Sequence, residues 1–344
     1  MSEVFSNRPV DRRTALMTIV SAGAGLLALG SSPVNASSEP GDMLTTILPN
    51  INSESRRILR TNLSSPTFSG QIPAAVVKDL LASEQKSVAA LMVSLLPLAR
   101  TFSRPPISNY HVGAVAEGMS GSLYLGFNIE FPGQALGFAV HGEQAALSSA
   151  YMHSEPAVVA IALTAAPCGH CRQFMNELTP DGQLEIFVDG AAPTKLAALL
   201  PLAFGPKDLG RKKGALPVEE TKLRTVALPA SPASAELSRA AFDAARTSYA
   251  PYTLSNSGAA IATRSGRIYK GSYIENVAFN PSLSPLQTAL VQLIVAGEDY
   301  SAISHVVVAE TRGARISQKS ATEAVLGTVA PAVDLEILAV EVRP

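Results

Sequence analysis

The stretch Pro167-Cys168-Gly169-His170-Cys171 contains both cysteines of the chain and decides how the neighbouring segments must fold. Cys168 and Cys171 are three positions apart, which places both sulfurs on one side of the first turn of a helix. Pro167 precedes that turn, where proline is tolerated, and the unpaired N–H groups of a helix start stabilise thiolates. The sequence therefore predicts a helix that starts at this stretch and continues to Leu178.

A second motif, His141-Gly142-Glu143, lies upstream. Side chains two positions apart in a helix interior point roughly 200° apart, so His141 and Glu143 can share a site only at a helix entrance. An imidazole from His141 and thiolates from Cys168 and Cys171 would bind one Zn²⁺ per chain. A structural zinc takes four protein ligands, so three leave a position open for water, as in a catalytic site. Glu143 is then placed to carry a proton from water to a substrate nitrogen.

Other functions use parts of this pattern. Cys-Gly-His-Cys is also typical of thiol-disulfide oxidoreductases, although such a site expects an aromatic residue before the first cysteine and gives His141 and Glu143 no task. A zinc protein without catalysis is a third interpretation, and the intact Glu143 argues against it. The combination of both motifs, with the strand-like segment 157–163 before the cysteines, favours the zinc deaminase signature.

Together these motifs resemble the cytidine deaminases, specifically the two-repeat homodimeric form of bacteria and plants. His141 and Gln144 match that branch, because tetrameric relatives have Cys and Arg there. The resemblance covers most of residues 85–344 and implies hydrolytic deamination of cytidine and 2′-deoxycytidine in pyrimidine salvage. A deaminase acting on another nucleoside or base is the nearest alternative. The other matching segments are Ser108–Ala114, Gly126–Phe131, Pro167–Leu178, Leu200–Leu209 and Gly271–Asn276.

The resemblance also implies five substrate-binding residues. Asn128 and Glu130 would bind the ribose hydroxyls, and a strand period of two puts them on one face. Tyr110 stands where relatives usually have a Phe that packs on the pyrimidine. Gly142 would act through its backbone, and Phe204 would lie near the pocket of the neighbouring subunit.

The second half of the chain repeats the first at an offset of 145 residues. After a loop two residues shorter, Ser284 and Leu286 replace His141 and Glu143, and no cysteine follows Cys171. The second copy therefore cannot build the zinc site, and we expect it to serve as a packing partner. By analogy, segment 276–283 of one protomer should lie beside the pocket of the other. The parallel segments are Val112-Gly113-Ala114 with Ser257-Gly258-Ala259, and Asn128-Ile129-Glu130 with Tyr273-Ile274-Glu275.

Composition and the first forty residues limit the partners and the location. With 47% hydrophobic and 16% charged residues, the chain is that of a well-buried globular protein, and a net charge of −1 argues against binding to nucleic acid polymers. Arg12-Arg13 followed by the apolar run 15–29 resembles a twin-arginine export signal, which is too short for a stable membrane span. Relatives are usually cytosolic, and a disordered extension or an organelle-targeting segment is the alternative.

The predicted fold class is α/β: a three-layer α/β/α sandwich with a mixed sheet, present as a catalytic and a degenerate copy. The predicted divisions are an extension (1–40), a small helical region (41–83), the catalytic domain (84–204), a linker (205–234) and the degenerate domain (235–344). Predicted helices cover 84–101 and 235–247. Predicted strands cover 121–131, 157–163, 184–188, 266–273, 305–309 and 335–342.

Overall fold

The computed structural model describes residues 43–179, 181–211, 214–225 and 232–342. The predicted export signal, with Arg12 and Arg13, lies outside these residues. The described part of the chain contains two β-sheets, each accompanied by helices. Within these ranges, no helix combines the length and the apolar character that a bilayer crossing requires.

The first half of the structure has six strands and seven helices. The strands are β1 (Gln71–Ile72), β2 (Gly113–Gly118), β3 (Leu123–Phe127), β4 (Val158–Leu163), β5 (Glu185–Val188) and β6 (Thr194–Lys195). The helices are α1 (Met43–Ile47), α2 (Ser53–Leu63), α3 (Ala74–Glu84), α4 (Val88–Arg100), α5 (Gly142–Met152), α6 (Gly169–Leu178) and α7 (Leu196–Leu199). The sheet order is β1-β3-β2-β4-β5-β6, with β2 antiparallel to β3 and β4, and β4 parallel to β5.

The second half repeats this arrangement. Its strands are β7 (Leu223–Thr225), β8 (Ser257–Thr263), β9 (Ile268–Ser272), β10 (Ile303–Thr311) and β11 (Leu335–Val342). Its helices are α8 (Pro232–Arg246), α9 (Pro285–Val295) and α10 (Lys319–Val329). β8 is antiparallel to β9 and β10, and β10 is parallel to β11, as in the first sheet. The predicted mixed sheet and the predicted duplication are confirmed.

Two glycines show that helices cover both faces of the first sheet. Ala114 of β2 pairs with Gly126 of β3, so these two face one way and Gly113 faces the other. A Cβ on Gly113 would lie 2.5 Å from the carbonyl oxygen of Leu96 in α4, and one on Gly126 would lie 2.3 Å from that of Gly142 in α5. The helices thus approach the sheet as closely as only glycine permits, α4 on one face and α5 on the other.

The same contacts recur in the second copy. A Cβ on Gly258 would lie 2.2 Å from the backbone nitrogen of Ala245 in α8, and one on Gly271 would lie 2.2 Å from that of Ala289 in α9. These glycines follow Gly113 and Gly126 by 145 residues. The three-layer arrangement is therefore present in both copies.

Several predicted boundaries were wrong. The helix predicted for 84–101 begins only at Val88, because Gln85 adopts a left-handed conformation (φ 51°) that ends α3, and Ser87 then caps α4 by accepting from the backbone N–H of Ala90 at 3.2 Å. The strand predicted for 121–131 ends at Phe127, since beyond it Ile129 makes only isolated bridges, with Arg104 and Val140.

The regions flanking the catalytic sheet are packed against it. The predicted helical region contains β1, which pairs antiparallel with β3, so it contributes a strand to the sheet as well as helices. In the predicted linker, Ala215 and Leu216 are buried, and the Ala215 N–H donates to the Glu177 carbonyl at 3.0 Å. The linker is therefore partly held against α6.

The two copies contact each other through matching amide side chains. The Gln144 Nε2 donates to the Pro281 carbonyl at 3.0 Å, and the Gln287 Nε2 donates to the Phe138 carbonyl at 2.6 Å. Because 144 and 287, like 138 and 281, are 143 residues apart, the two bonds are repeats of one contact. The second copy thus packs on the catalytic copy much as one subunit packs on an equivalent subunit.

Candidate zinc site

The starts of two helices bring the three predicted ligands together. His141 is the N-cap of α5, Cys168 is the N-cap of α6, and Cys171 lies in the first turn of α6. The His141 Nδ1 lies 3.6 Å from the Cys168 Sγ and 3.3 Å from the Cys171 Sγ, and the sulfurs are 3.5 Å apart. The predicted helix entrances are therefore present, and each directs its ligands to the same point.

This donor set fits zinc. With Zn–S of about 2.3 Å and Zn–N of about 2.0–2.1 Å, tetrahedral geometry requires about 3.8 Å between two sulfurs and about 3.6 Å between sulfur and nitrogen. The three distances between His141, Cys168 and Cys171 agree with these values to within about 0.3 Å. Among the described residues, this is the one cluster of His, Cys, Asp and Glu suited to a metal ion.

Without metal, the pKa values of the two cysteines shift in opposite directions. The Cys171 thiol and then His141 hydrogen-bond to the Cys168 sulfur, which lowers the pKa of Cys168 to about 3. The same bond to Cys168, followed by burial, raises the pKa of Cys171. Both cysteines are free, and their separation far exceeds the roughly 2 Å of a disulfide. The arrangement therefore favours the thiolate form of Cys168 over that of Cys171.

Glu143 lies in the first turn of α5 and is only 6% exposed. Burial raises the pKa of Glu143 above its ordinary value, although its own backbone N–H, Cys171 and His141 act in the opposite direction. The carboxyl group is therefore beside the ligands and in an environment that favours proton uptake, as a general acid/base requires.

Two residues that we did not single out from the sequence support the ligands. The His170 ring stacks on the His141 ring with centroids 5.1 Å apart. The Arg172 guanidinium donates to the Pro167 carbonyl and to the Leu199 carbonyl, both at 2.9 Å, which fixes the turn before α6. The position of His170 between the two cysteines was the available signal, whereas the partners of Arg172 depend on the fold.

Asn128 and Glu130 both hold the loop 107–112. The Glu130 carboxylate accepts from the N–H groups of Ile107 (2.8 Å) and Ser108 (2.9 Å) and from the Ser108 hydroxyl (2.5 Å). Burial raises the pKa of Glu130, but the hydrogen bonds from Ser108 and Ile107 outweigh it and the net pKa is lowered. The Asn128 amide accepts from the Val112 N–H at 2.9 Å and donates to the Tyr110 carbonyl at 2.8 Å.

Of the remaining predicted residues, Tyr110 and Phe204 have exposed side chains, whereas the backbone of Gly142 is tightly packed. The Tyr110 and Phe204 side chains are 59% and 45% exposed. The Phe204 carbonyl accepts from the Gln173 amide of α6 at 2.7 Å, so the ring projects from a segment anchored near the ligands. A Cβ on Gly142 would lie 2.7 Å from the Val112 Cγ1, so the backbone of Gly142 is packed directly against the loop 107–112.

Segment 276–283 of the second copy lies against the catalytic helices of its own chain. The Asn276 Nδ2 donates to the Gln173 carbonyl at 3.0 Å, and the Val277 N–H donates to the Glu177 carboxylate at 2.9 Å. Pro281 accepts from Gln144, as described above. The expectation of a place beside another protomer's pocket stays a prediction, while the observed contacts are within one chain.

The fold and the site identify the class of protein first. An imidazole, two thiolates and an adjacent glutamate at helix starts are the signature of the zinc-dependent deaminases. Two family models, both described as "Cytidine and deoxycytidylate deaminase zinc-binding region", match this chain, one over residues 85–183 and the other over 196–323. The chain belongs to this family.

Named relatives extend the comparison. A cytidine deaminase of Shewanella sp. (strain MR-7) is 41% identical over 274 residues, which cover 80% of this chain and 90% of that protein. One from Vibrio cholerae serotype O1 (strain M66-2) is 42% identical over 281 residues, 81% of this chain and 93% of that protein. A crystal structure of cytidine deaminase from Burkholderia pseudomallei is 31% identical, with a TM-score of 0.31, and covers 35% of this chain and 100% of that one. The Shewanella and Vibrio relatives do not favour the thiol oxidoreductase alternative.

Replacing His141 by Ala should abolish tight zinc binding, because two thiolates alone leave the ion with too few ligands. The matched control is Ser284→Ala, which changes the N-cap at the equivalent place in the second copy. We expect about one zinc per chain in the wild type and in Ser284→Ala, and little in His141→Ala, measured by elemental analysis after dialysis against a weak chelator. Equal zinc in all three proteins would contradict the assignment of His141.

Proposed function

We propose that this protein catalyses the zinc-dependent hydrolytic deamination of cytidine and 2′-deoxycytidine to uridine and 2′-deoxyuridine, a reaction of pyrimidine salvage. The observation that carries the proposal is the buried carboxyl group of Glu143 beside a three-ligand donor set. The high identity to relatives named cytidine deaminase supports the choice of substrate.

The protein's own groups account for the proton transfers. When bound, zinc supplies the Lewis acidity that makes water an effective nucleophile near neutral pH. Glu143 accepts a proton from the water that attacks C4 of the pyrimidine and delivers it to N3. Glu143 then moves the proton of the new C4 hydroxyl group to the amino nitrogen, the C4–N bond breaks as the C4=O bond of uridine forms, and ammonia leaves.

The loop 107–112, with Asn128 and Glu130, is the proposed ribose site. The Glu130 carboxylate already accepts three hydrogen bonds from the loop and has lone pairs left for the ribose 3′-OH. A carboxylate at this place would repel a 3′-phosphate. The site therefore suits a free nucleoside rather than a nucleotide within a strand.

Replacing Glu143 by Gln should lower kcat by at least about 10²–10⁴-fold while zinc stays bound, because the amide keeps the volume of the side chain but cannot carry a proton. The loss of cytidine absorbance measures the rate, and elemental analysis measures zinc. Glu117→Gln, the same change on β2, is the control and should retain the activity. Turnover near the wild-type value in Glu143→Gln would refute the proposed mechanism.

Replacing Glu130 by Gln should raise the KM for cytidine roughly tenfold or more, since a hydrogen bond to a charged group contributes about 1.5–3 kcal/mol. The KM for 3′-deoxycytidine should change much less. Glu275→Gln is the matched control, because Glu275 holds the N–H groups of Tyr252 (2.8 Å) and Thr253 (3.2 Å) as Glu130 holds its own loop. An equal rise in KM for both nucleosides would assign Glu130 to loop structure alone.

We also propose that the protein is a homodimer. Large side chains are exposed in two segments, 108–114 and 200–209, that match the two-repeat homodimeric form: Tyr110 at 59%, Leu202 at 97% and Phe204 at 45%. Exposed large apolar side chains are typical of interaction sites, and a second copy of this chain is the proposed partner. Sedimentation should show a dimer for the wild type and for the exposed-site control Ile316→Asp, but a monomer for Leu202→Asp. A monomeric wild type would contradict the proposal.

Export of the folded, zinc-loaded protein is proposed from Arg12-Arg13 and the apolar run after them. A twin-arginine pathway reads the arginine pair, so changing both arginines to Lys should retain the protein in the cytoplasm. Cell fractionation followed by N-terminal sequencing of the mature protein tests this. Equal distribution of both proteins would leave the cytosol, where relatives usually reside, as the location.

A further inference from the structure

Glu177 is a fully buried carboxylate that the proposed proton transfers do not use. It lies on α6, is 0% exposed, and follows Cys171 by six residues, which is about 9 Å along the helix axis. Burying a carboxyl group without partners is costly, so its surroundings must supply donors. The apolar residues around it on α6, Phe174, Met175 and Leu178, do not explain its presence.

Within the described part of the chain, the hydrogen-bond donors to the Glu177 carboxylate all come from the second copy. The Tyr249 hydroxyl donates to Oε1 at 2.7 Å, the Tyr252 hydroxyl donates to the same atom at 2.6 Å, and the Val277 N–H donates to Oε2 at 2.9 Å. The two tyrosine rings contact each other edge to face, with centroids 6.4 Å apart. The degenerate copy thus donates three hydrogen bonds to one carboxylate on the helix that carries both cysteine ligands.

The opposite contact, from the equivalent helix of the second copy to the catalytic copy, is made without a carboxylate. Thr328 at the far end of α10 accepts from the Gln134 amide at 3.2 Å and donates to the Pro132 carbonyl at 3.3 Å. At the offset of 145, Arg104 and Ile107 take the places of Tyr249 and Tyr252. The Arg104 guanidinium donates to backbone carbonyls of its own copy, and the one carboxylate of α10, Glu323, is exposed beside Lys319. Among the described residues, a buried carboxylate therefore makes this contact only on the side where the helix carries the cysteines.

We infer that Glu177 is a positioning residue: its buried carboxylate, held by Tyr249, Tyr252 and the Val277 N–H of the second copy, fixes the helix that bears Cys168 and Cys171. The inference deepens the proposed function and rests on it for its kinetic part. It gives a function to the second copy, which has lost all three zinc ligands. Because α6 is one continuous helix, a shift of its far end moves both sulfurs relative to His141, and catalysis is sensitive to displacements of about 1 Å.

The test compares the double variant Tyr249→Phe/Tyr252→Phe, which removes two donors and leaves the rings, with Tyr124→Phe. Tyr124 is the matched control: its hydroxyl donates to Glu155 at 2.6 Å, also a buried tyrosine–carboxylate bond of the catalytic copy, but between β3 and the turn before β4. Each protein is loaded with zinc, and zinc release is followed with a chromophoric chelator. Turnover is expressed per zinc-loaded chain.

The double variant should release zinc at least about tenfold faster and lose about tenfold in kcat, with KM changed less than about threefold. Tyr124→Phe should lower the thermal midpoint without altering zinc release or kcat. If the double variant does not fold, the single changes are measured, and each should give a smaller effect of the same kind. Zinc release and kcat equal to those of Tyr124→Phe would overturn the inference. Inactive wild-type protein with tyrosine-dependent zinc release would overturn only the proposed function.

Discussion

The convergence of two helix starts, those of α5 and α6, is the constraint on which the rest of the structure depends. Each supplies free N–H groups and the positive end of a dipole to one point, which stabilises thiolate at Cys168. The meeting is possible because α5 lies directly on β3 at Gly126, where any side chain would collide with the Gly142 carbonyl. The close packing of α5 on the sheet therefore also determines the position of the helix start that carries site residues.

The duplication separates residues that maintain the fold from residues that perform chemistry. Gly126 and Gly271 meet the helix above them in the same way, and Glu130 and Glu275 hold equivalent loops. These features persist in a copy that has lost the ligands, so they are requirements of the architecture. For Glu130, any contact with ribose is added to a structural task, which explains why the same carboxylate is retained where no substrate is processed.

The sequence predicted the site well because the decisive geometry is local. Cys168 and Cys171 are close enough in sequence to share one helical turn. The side chains of His141 and Glu143 would point apart within a helix, so the same turn geometry places them at a helix entrance. What could not be predicted depends on distant partners. The break at Gln85 is a left-handed residue without a glycine signal. The donors to Glu177 lie 72 to 100 residues further along the chain. Neither periodicity nor composition indicates which hydroxyl will meet which carboxylate.

A buried carboxylate is a poor way to gain stability, since an apolar pair of similar volume usually does as well or better. Its value is directional: hydroxyl and N–H donors fix an acceptor in angle as well as distance, whereas apolar side chains can slide. The repeated contacts of Gln144 and Gln287 are single hydrogen bonds to carbonyl oxygens, which tolerate small rotations of one copy against the other. Three donors on Glu177 remove that freedom at the helix whose position matters most. The second copy, although it cannot bind the metal, can therefore be retained because it fixes the position of α6.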